Sequence, residues 1–146
     1  MNKEQSVITN SILVQLQKSL EILKTSFETV DNYDSHKNYT PKEREPYDAL
    51  SDRFVRAVEI SIKFFKSYEK YLYAENSETL RDLLGKMEKL KMVSSTELWI
   101  RMRDIRNRIV HEYLPDDLKE IYDLILGIYK NEFNSLSDNI KNISVT

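Results

Sequence analysis

The 146-residue chain has no cysteine, only two glycines and only three prolines. The absence of cysteine excludes disulfides, cysteine-ligated zinc and thiol catalysis, and it is typical of proteins of a reducing cytoplasm. Tight turns between strands use glycine, so its scarcity favours long helices over a sheet. No apolar run approaches the roughly 20 residues that span a bilayer, and the first ten residues lack the apolar stretch of a signal peptide. We therefore expect a helical, cytoplasmic protein.

The chain also lacks a strong net charge, at −2 with a pI of about 5.8. A protein that coats nucleic acid is strongly basic, so any contact with nucleic acid here must be local. Apolar residues make up 40% of the chain and charged residues 32%, which is typical of a globular domain. The length predicts one domain over 1–146, with a core over about 7–130 and a C-terminal tail that frays.

Apolar residues recur at spacings of three and four through most of the chain, which predicts amphipathic helices. The polar stretch 31–40 between the first two predicted helices indicates a loop. Pro115 disfavours helical geometry in the residue before it and should end the fourth helix. The predicted helices are about residues 3–30, 41–76, 77–93, 94–113 and 116–139.

Start signals support these boundaries. Thr40 with Glu43, and Ser94 with Glu97, have the spacing of capping boxes, in which each side chain satisfies a free backbone N–H of the other residue's turn. Ser77 is expected to open the third helix. Each signal separates two apolar periodic segments, so the helices are expected to be distinct elements.

The apolar positions predict how these helices pack. The first helix carries one apolar stripe, made of Leu13, Leu16, Leu20, Leu23, Phe27 and Val30. The second helix carries two adjacent stripes, a first with Leu50, Phe54, Ala57, Ser61, Phe64, Tyr68 and Tyr71 and a second with Val55, Val58, Ile62 and Phe65. It should therefore contact more than one neighbour or face another subunit. On the fifth helix, the apolar face is expected to consist of Leu118, Ile121, Ile125 and Ile128. The chain is therefore predicted to be all-α, an up-and-down bundle of four to five antiparallel helices that forms a dimer.

The fourth helix contains the stretch that carries chemistry, "RNRIVHEY", with one of the two histidines of the chain. Between residues 86 and 108 there are seven basic residues against three acidic ones, a local excess of four positive charges that suits a phosphate. Arg103, Asn107 and His111 recur every four residues on one helix face. The Asn107 amide is therefore expected to reach the His111 ring and fix its tautomer.

These residue types suit cleavage of RNA without a metal. The His111 imidazole can remove the proton of a ribose 2′-hydroxyl or protonate the leaving oxygen, and the Arg106 guanidinium can hold two phosphate oxygens. Arg106 and His111 lie about 140° apart on an ideal helix, so sharing one phosphate requires a swing of the arginine, a bend or a second subunit. No paired-histidine metal motif or Asp-x-Asp pattern is present. The residues alone also allow a structural histidine on a solvated helix.

The ordered residues Arg106, Asn107, His111 and Tyr113 form an Arg-x4-His-x-Tyr motif. This motif resembles that of the HEPN superfamily, helical domains named for higher eukaryotes and prokaryotes nucleotide binding. Trp99 seven residues before the arginine, the aromatic second helix and the proline-acidic exit are similar to the HepT-like branch, which is associated with minimal nucleotidyltransferases and was described as nucleotidyltransferase substrate-binding proteins. The resemblance covers roughly residues 7–130.

This resemblance implies a function. HepT-like proteins are toxins of bacterial HEPN/MNT toxin–antitoxin pairs, act as metal-independent endoribonucleases on tRNA or mRNA, and form homodimers with a composite cleft. A cognate MntA-like nucleotidyltransferase antitoxin neutralises them by AMP transfer to the motif tyrosine. The resemblance implies that Arg106 and His111 are catalytic, that Asn107 and Arg103 support substrate binding, and that Tyr113 accepts AMP. It implies no metal and no cofactor.

Two other functions remain open from the sequence. The chain could be a non-catalytic subunit that holds a substrate or nucleotide for a nucleotidyltransferase through the same basic patch. It could also be a helical interaction module whose motif has lost its function. Cleavage of RNA in the presence of a chelator, and its loss on His111→Ala, distinguishes the first hypothesis from these two.

Overall fold

The computed structural model describes residues 2–111 and 114–146. The α-helices in these ranges are α1 Lys3–Thr29, α2 Pro41–Tyr73, α3 Leu80–Lys89, α4 Thr96–His111, α5 Pro115–Leu124 and α6 Lys130–Lys141. A π-helical turn, Ile125–Tyr129, joins α5 to α6 across a kink at Gly127. No strand is present in the described part of the chain, and the predicted all-α class is confirmed.

The two longest helices, α1 and α2, form an antiparallel hairpin with the most extensive contact in the bundle. Near the start of α1, Gln5 Nε2 donates to Ser67 Oγ at 3.0 Å, and the Thr9 and Ser67 hydroxyls lie 2.7 Å apart. Near its end, Arg53 Nη1 donates to Ser26 Oγ at 2.9 Å. The rest of the interface between α1 and α2 is apolar. If one helix shifted along the other, these polar side chains would lose their hydrogen-bond partners, so the bonds fix the register of the hairpin.

Helix α4 packs antiparallel to α2 and is anchored by Trp99, whose side chain is fully buried. The Trp99 ring meets Phe65 of α2 and Phe133 of α6 edge-on, with centroids 5.2 and 5.6 Å away. Further along α4, Arg106 reaches Glu59, one and a half turns before Phe65. The antiparallel direction follows from this pairing, and it places one face of α4 along a groove beside α2.

The residues after α6 lie at the open end of the hairpin, where α1 begins and α2 ends. Asn10 Nδ2 donates to the Val145 carbonyl oxygen at 2.8 Å, and the Thr146 amide donates to the Tyr71 hydroxyl at 3.1 Å. Lys130 lies over the Phe27 ring at the other end of α1. Helix α6 therefore runs antiparallel to α1 and closes the bundle.

The predicted apolar faces of the hairpin are buried in one continuous core. On α1 and α2 the predicted residues that are buried are Leu13, Leu16, Leu20, Leu23, Phe27, Leu50, Phe54, Ala57, Ser61, Phe64, Tyr68 and Tyr71. The second stripe of α2 is divided, since Val58 and Phe65 are buried whereas Val55 and Ile62 remain partly exposed. None of the helices described here combines the length and apolar character needed to cross a membrane.

Helix α3 begins later than predicted. Its N-cap is Thr79, whose hydroxyl accepts from the Asp82 amide at 3.0 Å. Ser77, the predicted start, is instead bound through its amide and hydroxyl to the carboxylate of Glu69, which is buried at the end of α2. A buried carboxylate needs several donors, and this demand draws Ser77 away from the helix.

The predicted Ser94–Glu97 capping box is also wrong. The hydroxyl of Ser95 accepts from the Leu98 amide at 3.3 Å and caps α4. Ser94 donates its amide and hydroxyl to Glu132, a buried carboxylate of α6 that also accepts from Trp99 Nε1 at 2.8 Å. As with α3, the predicted capping serine binds a carboxylate of another helix, and a hydroxyl residue closer to the helix caps it instead.

The predicted fifth helix is interrupted by the π-helical turn, and Ile128 is 49% exposed although it was expected in the core. A π turn holds one residue more than an α turn, so the residues after it are rotated. Ile125, Tyr129 and Phe133 consequently occupy the buried positions at a spacing of four. Gly127 lies at the kink, with non-helical φ −107° and ψ −105°.

The loop 31–40 packs onto the bundle through four tyrosines: Tyr33, Tyr39, Tyr47 and Tyr122. Their rings contact one another with centroids 4.8 to 5.4 Å apart. The Tyr47 hydroxyl donates to the Asp31 carbonyl oxygen at 2.7 Å, and burial raises the pKa of Tyr47 above its usual value. This cluster holds the loop against α2 and α5.

Replacement of Glu132 tests the anchor of α4. In Glu132→Ala the Trp99 indole N–H and the Ser94 donors lose a buried acceptor, and we expect the free energy of unfolding to fall by about 2–4 kcal/mol. Urea denaturation monitored by circular dichroism measures this change. Glu120→Ala removes an exposed carboxylate and should change stability by no more than about 0.5 kcal/mol. An equal loss of unfolding free energy in the two variants would contradict the role of Glu132 as the anchor of α4.

The buried carboxylate of Glu69 predicts a pH dependence of stability. Burial raises its pKa, but Lys86 at 2.7 Å and the Ser77 donors outweigh burial and hold the pKa below its usual value. A depressed pKa in the folded state contributes stability above the unfolded pKa, about 4.3. This contribution is lost as the pH falls through the folded pKa. Urea unfolding between about pH 5 and pH 2 should therefore depend less on pH in Glu69→Gln than in the wild type.

The matched control for this measurement is Glu75→Gln. Glu75 pairs with the same lysine, Lys86, at 2.9 Å, but its side chain is 62% exposed. Its contribution is screened by solvent, so this variant should retain the acid dependence of the wild type. If the free energy of unfolding of Glu69→Gln depended on pH as strongly as that of the wild type, the assignment of this dependence to Glu69 would be contradicted.

Candidate functional site

The candidate site is a groove between α2 and α4, crossed by an ion pair between Arg106 and Glu59. Arg106 Nη1 lies 2.6 Å from Glu59 Oε1, and the two side chains are 67% and 54% exposed. Only one guanidinium nitrogen makes this contact, so Nε and Nη2 keep donors that an oxyanion can accept. Glu59 therefore holds Arg106 over the groove without occupying all of its hydrogen-bonding capacity.

The ion pair lies between two hollows. One, which we name the Asn107 hollow, has a volume of about 510 Å³. Its lining residues are Val55, Val58, Glu59, Ile62, Met102, Arg103, Asp104, Arg106 and Asn107. The floor is the half-buried second stripe of α2, and the rim is the polar face of α4. This combination of an apolar floor with a few polar groups is typical of sites for small molecules.

The other hollow, which we name the Tyr122 hollow, lies toward the start of α2 and has a volume of about 580 Å³. Val55, Glu59 and Arg106 line both hollows, so the two form one groove. At its base, the hydroxyls of Ser51 and Tyr122 lie 3.1 Å apart, and burial raises the pKa of Tyr122 above its usual value. Tyr122 is therefore neutral there.

The groove brings together three of the predicted site residues. Arg103, Arg106 and Asn107 line the Asn107 hollow and are exposed to solvent. His111 is exposed near the end of α4 and does not line either hollow. The structure thus places the arginine and the histidine of the motif apart on one protomer, as the helical spacing predicts.

Two further expectations concern the end of α4. Within the described residues no hydrogen bond joins the Asn107 amide to the His111 ring, and both side chains are exposed. The orientation of the His111 ring by Asn107 stays a prediction. Tyr113, the predicted AMP acceptor, lies outside the described residues.

The positive charge predicted for this region is partly balanced by carboxylates from other parts of the chain. Arg108 Nη2 lies 3.2 Å from Glu120 of α5, and Lys86 binds Glu69 and Glu75. In the part of the chain that the structure describes, Lys89, Lys91, Arg101 and Arg103 form no ion pair. Of these four, Arg103 lines the Asn107 hollow and adds positive charge there beside Arg106.

Glu59 is the site residue that sequence reasoning missed. Counting charges along α4 cannot reveal a carboxylate that α2 brings across the groove. The available signal was its position between Val58 and Ile62 in the second apolar stripe of α2, where a charged residue interrupts an otherwise apolar face. No group of three or more histidine, aspartate or glutamate side chains among the described residues is placed to share a metal ion.

Comparison with known families shows what this chain is similar to. Residues 11–142 match the model of a family described as nucleotidyltransferase substrate binding protein like. A search of curated proteins finds no match to this chain. The matched range includes α2 to α6 and most of α1, and therefore both hollows and every described residue of the motif. The chain belongs to the nucleotidyltransferase substrate binding protein like family.

Proposed function

We propose that the protein is the toxin of a bacterial HEPN/MNT toxin–antitoxin pair, a HepT-like endoribonuclease that cleaves tRNA or mRNA without a metal. The observation that carries this proposal is the Arg106 guanidinium, which Glu59 holds over a groove through Nη1. Among residues 2–111 and 114–146, its other two nitrogens have no partner and can donate to a phosphate. Membership of a family named for nucleotidyltransferases, and the Arg106–His111–Tyr113 motif, support the same function.

Arg106 binds the scissile phosphate in this proposal. Its free nitrogens donate to two phosphate oxygens and stabilise the charge that grows on them in the transition state. Asn107 and Arg103, on the rim of the Asn107 hollow, donate to the ribose or to the adjacent phosphate. The apolar floor of the hollow contacts the base of the nucleotide, which is its least polar part.

His111 performs the proton transfers. A neutral imidazole removes the proton from the ribose 2′-hydroxyl, the 2′-oxygen attacks phosphorus, and the bond to the 5′-oxygen breaks. A protonated imidazole gives its proton to this 5′-oxygen, which leaves a 2′,3′-cyclic phosphate and a free 5′-hydroxyl. One histidine cannot be base and acid at once, so two copies of His111 from a homodimer supply both roles.

Tyr113 is the proposed point of control by a cognate MntA-like nucleotidyltransferase. Its hydroxyl attacks the α-phosphorus of ATP bound to that partner, and pyrophosphate leaves. The added AMP brings negative charge and bulk to the end of α4, where it opposes the approach of an RNA backbone. The acidic start of α5, with Asp116 and Asp117, offers a surface for a basic partner.

A second candidate function is a non-catalytic subunit that holds a substrate or nucleotide for a nucleotidyltransferase. The separation of His111 from the groove on a single protomer favours this alternative, because Arg106 and Asn107 can bind a phosphate there without the histidine. The family description agrees with it equally well.

Cleavage of total tRNA in EDTA tests the ribonuclease. We expect the wild type to cut and to leave 2′,3′-cyclic phosphate ends, and Arg106→Ala and His111→Ala each to lower the rate by about 10²–10⁴-fold. Arg101→Ala is the matched control, because Arg101 is an exposed arginine of the same helix that lines neither hollow. A wild type that binds nucleotide but cuts no RNA would favour the binding subunit.

All three variants should remain folded, since each replaces an exposed side chain. The Arg106–Glu59 pair is a surface ion pair, which contributes no more than about 1 kcal/mol. Thermal melts of the variants therefore serve as the control for the cleavage assay. A loss of activity that accompanies a loss of folded protein would not count in favour of the mechanism.

Modification by the nucleotidyltransferase is tested by intact-mass measurement after incubation with the partner and ATP. We expect the wild type to gain AMP and lose ribonuclease activity, whereas Tyr113→Phe gains none and stays active in the presence of the partner, because phenylalanine has no hydroxyl to accept the group. Tyr73→Phe is the control, since Tyr73 is an exposed tyrosine elsewhere. Modification of Tyr113→Phe to the wild-type extent would contradict the assignment.

A further inference from the structure

A second groove lies between α1 and α2, with a volume of about 530 Å³. We name it the α1–α2 groove. Four cationic side chains and two isoleucines among its lining carry the argument: Lys18, Arg53, Arg56, Lys63, Ile22 and Ile60. Arg53, Arg56 and Lys63 follow one face of α2 over roughly 15 Å, so the positive charge is spread along the groove.

The charge of this groove is unusual for a chain with a net charge of −2. Its one acidic lining residue, Glu59, is engaged by Arg106. Arg56 pairs with Asp52 through Nε alone, at 2.8 Å, and keeps other donors. Lys18 and Lys63 are exposed, and neither forms an ion pair within the described ranges. The groove therefore offers several unsatisfied cations to an extended polyanion.

The α1–α2 groove is continuous with the candidate site. Arg56 and Glu59 line both this groove and the Tyr122 hollow, which Arg106 also lines. A strand whose phosphate is bound at Arg106 can therefore cross α2 and continue over Arg56 toward Lys18 and Lys63. Cleavage at a single phosphate does not require this row of cations, so the cations are available to bind the flanking phosphates.

We propose that the α1–α2 groove binds the sugar–phosphate backbone of the RNA strand that flanks the cleaved phosphate. The four cations contact phosphates, and the isoleucines provide an apolar floor for the sugars. Contacts of this kind position a strand without reading its sequence. The inference rests on the proposed ribonuclease function, and it adds a site that contributes affinity for long RNA but takes no part in the reaction.

The test uses the double variant Lys18→Gln/Lys63→Gln and two substrates, a long single-stranded RNA and a trinucleotide that reaches only the candidate site. For long RNA we expect KM to rise about tenfold with kcat unchanged. For the trinucleotide both constants should stay at the wild-type value. The slope of log affinity against log salt should also fall by about 1.4, because each phosphate contact on a single strand contributes roughly 0.7.

The matched control is Lys24→Gln/Lys141→Gln, which makes the same change in net charge with exposed lysines that line neither the groove nor the hollows. This variant should cut both substrates as the wild type does. An equal rise in KM for the two double variants would show only a dependence on net charge and overturn the proposal. An equal loss on the long RNA and the trinucleotide would also overturn it.

Binding separates failure of this proposal from failure of the ribonuclease. If the wild type cuts no RNA, the proposed function fails, and the groove is then judged by fluorescence anisotropy with a labelled long RNA. Weaker binding by Lys18→Gln/Lys63→Gln, with wild-type binding by the control, supports the groove. Unchanged RNA binding by the groove variant overturns it, and lost binding to the nucleotidyltransferase in the same variant would assign the surface to that protein instead.

Discussion

The position of α4 depends on one buried carboxylate. Glu132 of α6 accepts from the Trp99 indole and from Ser94, and these bonds fix where α4 starts and which face it turns inward. A buried carboxylate without donors costs several kcal/mol, so the arrangement has few competitors. Because α4 is one continuous helix from Thr96 to His111, the same contacts determine that Arg103, Arg106 and Asn107 face the groove beside α2.

The core and the candidate site share α4 but use different faces of it. Trp99, Met102 and Ile105 are buried, whereas Arg106, Asn107 and His111 are exposed, and Arg106 pairs with Glu59 of α2. The apolar second stripe of α2 is left half-open beneath that pair. The apolar face of α2 is wider than the arginine-rich helix α4 can cover. The uncovered part forms the apolar floor of the groove, and the polar face of α4 forms its cationic rim.

Periodicity and caps were sufficient to predict the helical class, the loop 31–40 and the buried faces of α1 and α2. The starts of α3 and α4 could not be predicted, because Ser77 and Ser94 bind carboxylates that are distant in sequence or hidden in another helix. Ile128 was misplaced since nothing in the apolar pattern marks a π-helical turn except Gly127. Within the site, the separation of Arg106 and His111 follows from helical geometry, whereas the role of Glu59 requires knowledge of which helices are neighbours.

The burial of Trp99 has a spectroscopic consequence. It is the one tryptophan of the chain and has no exposed surface. Its indole is hydrogen-bonded to Glu132 and packed against Phe65 and Phe133, so its fluorescence emission reports the environment of a single place at the start of α4. Emission from the folded protein should lie at shorter wavelength than emission from a solvated indole. The intrinsic fluorescence of Trp99 therefore reports whether α4 is packed against α2 and α6, without any added label.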